Sequence, residues 1–192
     1  MYKILERIGC FLDKDISLVD FAIISNNCWG YQLYKNHNMR YNTPFVGLYI
    51  EPDDYIRLLF DPFKYLSVNL SEKHFKINRV GIICTIYDVE IVFLHYDNIC
   101  EAILKWNRRR LRLLKFINNH GTDNLIVKFC DKDNPTDNAI NLFYTLPYKR
   151  KIFIGNKARD GLYKYFKFPI SGNKLFNVRV CYYLSYKNLF KN

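Results

Sequence analysis

Ser25-Asn26-Asn27-Cys28-Trp29-Gly30 gathers a hydroxyl, two amides and a thiol within six residues. It follows 20–25 (Asp-Phe-Ala-Ile-Ile-Ser), whose apolar run predicts a buried strand, and it leads into 28–37, which predicts a helix. A thiol in the first turn of a helix feels the partial positive charge of the free N–H groups there. That lowers its pKa and favours thiolate. The same N–H groups, joined by the Asn26 or Asn27 amide, would hold an oxyanion, with Ser25 and Trp29 completing the substrate-binding stretch. Two other uses fit the same residues. One is a structural cysteine behind a turn, and the other is an anion cradle at the helix N-terminus, for which no Gly-rich loop is present.

A cysteine nucleophile needs an imidazole and a group to orient it. His95 directly follows the apolar strand Glu90-Ile-Val-Phe-Leu94, and a strand end commonly delivers a side chain to a site. The same position suits a partly buried histidine with no catalytic role. His37, His74 and His120 sit in polar surroundings and read as solvated. Asp131 and Asp133, after the next apolar strand, are candidate orienting carboxylates, with Asp97 a local alternative. Both later aspartates serve equally well to cap the loop around Pro135.

Arg108-Arg109-Arg110-Leu111-Arg112 is the densest cationic run. Such a run reads as a solvated helix face, as guanidinium forks for a substrate pyrophosphate or nucleotide, or as a basic helix resting on anionic lipid. The whole chain carries 29 basic and 18 acidic residues, a net charge of +11, which attracts polyanions. Nucleic acid is disfavoured as the partner, because no helix-turn-helix, RNP or zinc-finger signature is present. Abundant Asn, Lys, Ile and Tyr follow equally from an AT-rich genome, so charge suggests a partner class without choosing one.

Six cysteines stand at 10, 28, 84, 100, 130 and 181 with no close pair, which argues against a zinc site and for reduced, buried thiols. With 192 residues, 49% of them hydrophobic, the chain can bury one sizeable core, and global disorder is excluded. Met-Tyr-Lys-Ile-Leu-Glu-Arg has no basic region followed by an apolar one, so no signal peptide is expected, and no apolar run approaches the about 18 residues of a membrane span. The expectation is one cytoplasmic domain over 1–192, with a peripheral position at the inner membrane compatible with its charge. No feature of the sequence sets an oligomeric state.

The elements that must position these residues alternate. Strands are expected at 20–25, 45–50, on either side of a turn at Tyr87-Asp88 within 79–95, and at 124–130, 151–155 and 177–184. Helices are expected from Pro52, from Asp97 or Asn98 to a stop at His120-Gly121, and over 136–145. The long helix carries Ile99, Ile103, Trp106, Leu113 and Ile117 as an approximate apolar stripe. Residues 155–174 are the most irregular part. This alternation predicts an α/β domain with helices on both faces of a sheet.

The run Ile24-Ser25-Asn26-Asn27-Cys28-Trp29-Gly30 with Tyr41-Asn42-Thr43-Pro44-Phe45-Val46-Gly47-Leu48 resembles the signature of a bacterial family whose members are usually labelled exopolysaccharide biosynthesis proteins. The likeness continues through Asp54-Tyr55-Ile56, Phe93-Leu94-His95-Tyr96, Glu101-Ala102, Lys105-Trp106-Asn107-Arg108-Arg109, Val127-Lys128-Phe129 and Leu146-Pro147-Tyr148-Lys149-Arg150-Lys151, covering about 18–155 and leaving 156–192 as an extension. It implies a three-layer α/β/α domain with a mixed sheet and a setting among capsule, exopolysaccharide or lipopolysaccharide genes. The chain departs from the family pattern at Gly30-Tyr31 and at Phe129-Cys130. Cys28, Pro44-Phe45 and Phe93-Leu94-His95 are more loosely similar to papain-like cysteine enzymes.

Together these residues lead to an expected acyl-transferring or acyl-hydrolysing enzyme of surface-polysaccharide assembly. Cys28 would be its nucleophile, His95 the base, Asn27 the oxyanion donor and Asp131 the orienting group. Arg108 and Arg109 would face the phosphates of a lipid-linked or nucleotide-linked sugar, or of acetyl-CoA or another acyl donor. The alternatives are a sugar-phosphate or nucleotide-sugar transferase using 25–30 as an anion cradle, and a non-catalytic partner docked on the membrane surface.

Overall fold

The computed structural model describes residues 20–36 and 38–154. Their strands and helices run in chain order as β1 (Ala22–Ser25), α1 (Tyr31–Asn36), β2 (Tyr49–Ile50), α2 (Pro52–Phe60), α3 (Pro62–Leu66), β3 (Phe75–Asn78), β4 (Gly81–Ile86), β5 (Val89–Phe93), α4 (Ile99–His120), β6 (Leu125–Cys130), α5 (Asp137–Thr145) and β7 (Arg150–Ile154). The class is α/β. The expected strand at 177–184, the irregular stretch 155–174, Cys10, Cys181 and His37 lie outside the described residues.

Strands β1, β6 and β7 form a parallel sheet in the order β1-β6-β7, and β2, β5, β4 and β3 form an antiparallel one in that order. β6 is the centre of the parallel sheet and is buried along its whole length, as a strand covered on both faces must be. β4 and β5 form a hairpin about Tyr87, which takes a φ of 54°. The two sheets meet where the Ile50 N–H donates to Asn26 O at 2.8 Å. Tyr55 of α2 docks that helix on the parallel sheet, its buried hydroxyl shared between Ile24 O of β1 and Lys128 O of β6 at 2.9 and 3.0 Å. A single apolar cluster, including Phe45, Leu48, Trp106, Val127 and Phe129, runs through both sheets.

Local chemistry sets the ends of α4. The Asn98 side chain accepts from the Glu101 N–H at 2.9 Å, and Gly121 at φ 67° closes the last turn. The buried face carries Trp106, Leu113 and Ile117, with Ala102 and Phe116 extending the stripe. Two of its arginines are buried as well. No helix among the described residues is long and apolar enough to cross a membrane.

β2 is only two residues long, against the six of 45–50 expected from hydropathy. The stretch before it contains Pro44 and Gly47 and bends over the end of β1. α1 begins at Tyr31, three residues later than expected. β3 and α3 are additional to the elements expected from the sequence. β3 is an exposed edge strand whose Phe-Lys-Ile-Asn carries no continuous apolar run.

Candidate functional site

The parallel strands end their carboxyl termini along one edge, where open α/β sheets place their ligands. At that edge β1 stops at Ser25, and the chain turns back through Asn26–Gly30. Gly30 has a φ of 97°, and a Cβ there would lie 2.9 Å from Ile23 Cδ1, so the return is open only to glycine. The turn leaves Cys28 half-buried, its Sγ 3.9 Å from Leu48 O.

His95 reaches the same place from the antiparallel sheet. Two residues past β5, its N–H donates to Gly47 O at 3.1 Å. Gly47 has a φ of 75°, and a Cβ there would stand 3.2 Å from the Cβ of His95, so the two segments pack closely because residue 47 has no side chain. Cys28 and His95 line one cleft of about 440 Å³ together with Tyr31, Lys35, Tyr41, Val46 and Gly47. The imidazole is exposed and its side chain makes no hydrogen bond to the described residues.

Beneath Cys28 lies a buried polar cluster that the sequence did not announce. Lys128 of β6 is fully buried. Its Nζ donates to Asn27 Oδ1 at 2.8 Å and to Cys130 Sγ at 3.0 Å. Lys128 and Cys130 share a face of β6 because they are two residues apart on a strand. The Asn27 amide nitrogen donates to Asp133 Oδ2 at 2.7 Å and to Cys130 Sγ at 3.3 Å, and Asn26 donates to the same Asp133 oxygen at 2.9 Å. An ammonium, a thiol, two amides and a carboxylate thus tie β1 to β6. Burial pulls the Lys128 ammonium below the ordinary lysine range, against the opposing influence of Cys130 and Asp133.

The cluster changes the roles assigned from sequence. Asn27 is not free to stabilise an oxyanion, since both of its N–H groups are engaged inside. The Asn27 N–H faces Ser25 Oγ at 3.4 Å and the Trp29 N–H faces Asn27 Oδ1 at 3.3 Å, so these loop amides turn inward rather than forming an anion cradle. Ser25, Asn26 and Trp29 are buried too and do not line the cleft. The carboxylate on this loop is Asp133. Neither Asp131 nor Asp97 hydrogen-bonds the His95 ring; Asp97 is exposed just before α4, where its backbone N–H donates to Glu101 Oε2 at 2.8 Å.

The Cys28 thiol is pushed up from its usual range. Burial raises it, Lys132 and Lys128 pull it down, Asp133 adds a further push, and the net direction is upward. The expected helix-terminus effect is missing because Cys28 sits in the bend before a six-residue helix and not in its first turn. Cys28 is therefore a neutral thiol at physiological pH. The expectation of uniformly buried thiols also fails at Cys100, which is exposed on α4, while Cys84 and Cys130 are buried.

The arginine run divides by face. Arg110 donates to Leu66 O at 2.9 Å, Ser67 O at 3.3 Å and Asn69 Oδ1 at 3.2 Å, clamping the loop after α3. Arg109 donates to the Tyr96 hydroxyl at 3.0 Å and stacks on Tyr41, its guanidinium carbon 5.0 Å from the ring centroid. Arg112 donates to Tyr41 O at 3.1 Å. Arg109 and Arg112 thus fix a wall of the cleft through Tyr41, and neither lines it. Arg108 points to solvent.

Lys128 was the missed residue with a legible signal. It is the single charge within Leu-Ile-Val-Lys-Phe-Cys, and a lysine in a fully buried strand must have a partner.

The chain is 31% identical over 150 residues to an uncharacterised protein of Haemophilus influenzae, a match covering 76% of this chain and 66% of that relative. Residues 3–185 match the family model described as a domain of unknown function, DUF1919. The match spans the β1 turn, the His95 strand end and the β6 cluster alike, and the chain belongs to the DUF1919 family.

Proposed function

We propose that the protein is a thiol-dependent acyl-transfer enzyme of surface-polysaccharide assembly, with Cys28 carrying the acyl group and His95 moving the protons. The observation that carries this reading is the cleft that Cys28 and His95 line together, each delivered by a different sheet past a glycine that no other residue can replace without strain. The polysaccharide setting rests on the resemblance of the motifs around 24–48 and 93–109.

Because the Cys28 thiol is neutral at rest, its proton leaves as the bond forms. The sulfur attacks the carbonyl carbon of a thioester donor, and the thiol proton passes to the His95 imidazole. The tetrahedral intermediate collapses as the bond to the donor sulfur breaks, and His95 returns the proton to the leaving thiol. A sugar hydroxyl then attacks the acyl-Cys28 carbonyl, gives its proton to His95, and restores the Cys28 thiol. Water in place of the sugar makes the same cycle a hydrolysis. Lys35, on the cleft wall, supplies positive charge for the phosphates of a coenzyme A donor or a sugar nucleotide.

The test is to incubate the protein with acetyl-CoA and map acetylated residues by mass spectrometry. Acetyl on Cys28, formed about 100-fold more slowly in His95→Ala, is the expected result. Acetyl-CoA and simpler thioesters that leave Cys28 unmodified, or a His95→Ala variant that acylates at the wild-type rate, would overturn the mechanism.

A further inference from the structure

The outward face of α4 is unlike the rest of the helix. Leu104 and Leu111 are 65% and 57% exposed. Arg108 and Lys115 are exposed between and beyond them. Spacings of four, three and four residues put all four side chains on one stripe. From Ala102 to His120 the helix has six Lys or Arg and no acidic residue. Glu101, at its first turn, is already paired with Lys105. Neither Arg108 nor Lys115 makes a hydrogen bond or ion pair among the described residues.

The positive charge is also concentrated across elements. Burial holds the Arg112 guanidinium below its usual range, and Arg108, Arg40 and Arg109 push it further in the same direction. Arg112 thus feels three other guanidinium groups, of which those of Arg108 and Arg40 belong to exposed residues. Exposed leucines set among unpaired cations are wrong for a nucleic acid, which needs charge and stacking but no aliphatic anchor. They suit an anionic bilayer, where aliphatic side chains enter the headgroup region and cations contact phosphates.

We propose that the outer stripe of α4, with Leu104 and Leu111 as anchors and Arg108, Lys115 and Arg40 as headgroup contacts, docks the protein on an anionic membrane surface. Arg109 and Arg112 tie this helix to Tyr41 on the cleft wall, so docking would hold the Cys28 cleft at the membrane interface. A lipid-linked acceptor could then enter without leaving the bilayer. The docking itself does not depend on the Cys28 chemistry, because vesicle binding needs no turnover.

Co-sedimentation with vesicles tests it, using phosphatidylcholine alone and phosphatidylcholine mixed equally with phosphatidylglycerol. Binding to the mixed vesicles only, lost near ~1 M salt where the screening length falls to about 3 Å, is the expected result. Arg108→Glu and Lys115→Glu should each lower the partition coefficient about fivefold or more, and Leu104→Ser with Leu111→Ser should lower it further. All four positions are exposed, and thermal melts of the variants should match the wild type. Absence of binding, or equal binding to neutral vesicles, overturns the proposal. Tighter binding to an RNA or DNA oligonucleotide that the serine variants do not weaken also overturns it, and makes the stripe a nucleic-acid surface.

Discussion

The Lys128 ammonium lies 2.8 Å from the Asn27 amide oxygen, both groups buried, although the residues are 101 positions apart. Through this contact the end of β1 is fixed to the middle of β6, and the bend that presents Cys28 is held from below. Lys128→Met removes the charged donor, leaving the Asn27 oxygen with the Trp29 N–H and the Ser25 hydroxyl, both at 3.3 Å, and the Cys130 sulfur with the Asn27 amide. We expect a loss of about 1 kcal/mol in unfolding free energy by urea titration, the usual net size of one hydrogen bond.

The same lysine gives a pH signature with a fixed sign. Its folded pKa is lowered from the ordinary 10.5, so between the lowered value and 10.5 the unfolded chain binds more protons than the folded one. The Lys128 contribution to stability therefore rises with pH through that window and is at its least favourable below it. Subtracting the stability–pH curve of Lys128→Met from that of wild type should isolate the rise. A flat difference would mean that Lys128 titrates at the same pH in both states.

Cys28 should behave as a hindered, neutral thiol in the absence of substrate. Its folded pKa is raised above the ordinary 9.0, so its alkylation by iodoacetamide should be slow at neutral pH and still be rising with pH at 9, where an ordinary thiol begins to level off. Among the cysteines of the described residues, Cys100, exposed on α4, should label first, and Cys84, whose thiol burial pushes up to about 12, should label last. Fast labelling of Cys28 below pH 7 would contradict this order and point to a thiolate preformed at rest.

Gly47→Ala should damage the site more than the fold. The new methyl stands 3.2 Å from the Cβ of His95 and must adopt a φ of 75°. We expect a stability loss of about 1 kcal/mol and a drop of about tenfold or more in Cys28 acylation, as His95 is displaced from the cleft. Equal acylation rates would show that His95 tolerates the shift.

Arg109→Lys keeps the charge and loses the planar fork that stacks on Tyr41 while bonding Tyr96. Its effect should appear as a weakened affinity for acyl donor, with thermal stability lowered by a few degrees. Arg108→Lys, at an exposed position, should change neither.

Much of the framework was readable in the chain alone, because it depends on local chemistry. Asn98 before a helix, Gly121 after it, Pro52 at a first turn and apolar runs at Ala22–Ser25 and Leu125–Cys130 each act within a few residues. Cys28 and His95 could be singled out for the same reason, each lying just beyond an apolar strand. Tertiary structure alone decided what surrounds them. Burial in the assembled fold raises the Cys28 thiol and outweighs the opposing pull of Lys132 and Lys128, about a hundred residues away. Asn26 and Asn27 are drawn inward by Asp133 and Lys128, and the arginine run divides into clamps and a free face because one helix has two sides. Contacts between residues this distant in sequence leave no period or motif to read, and burial, which fixes the cost of every charge, is a property of the assembled fold.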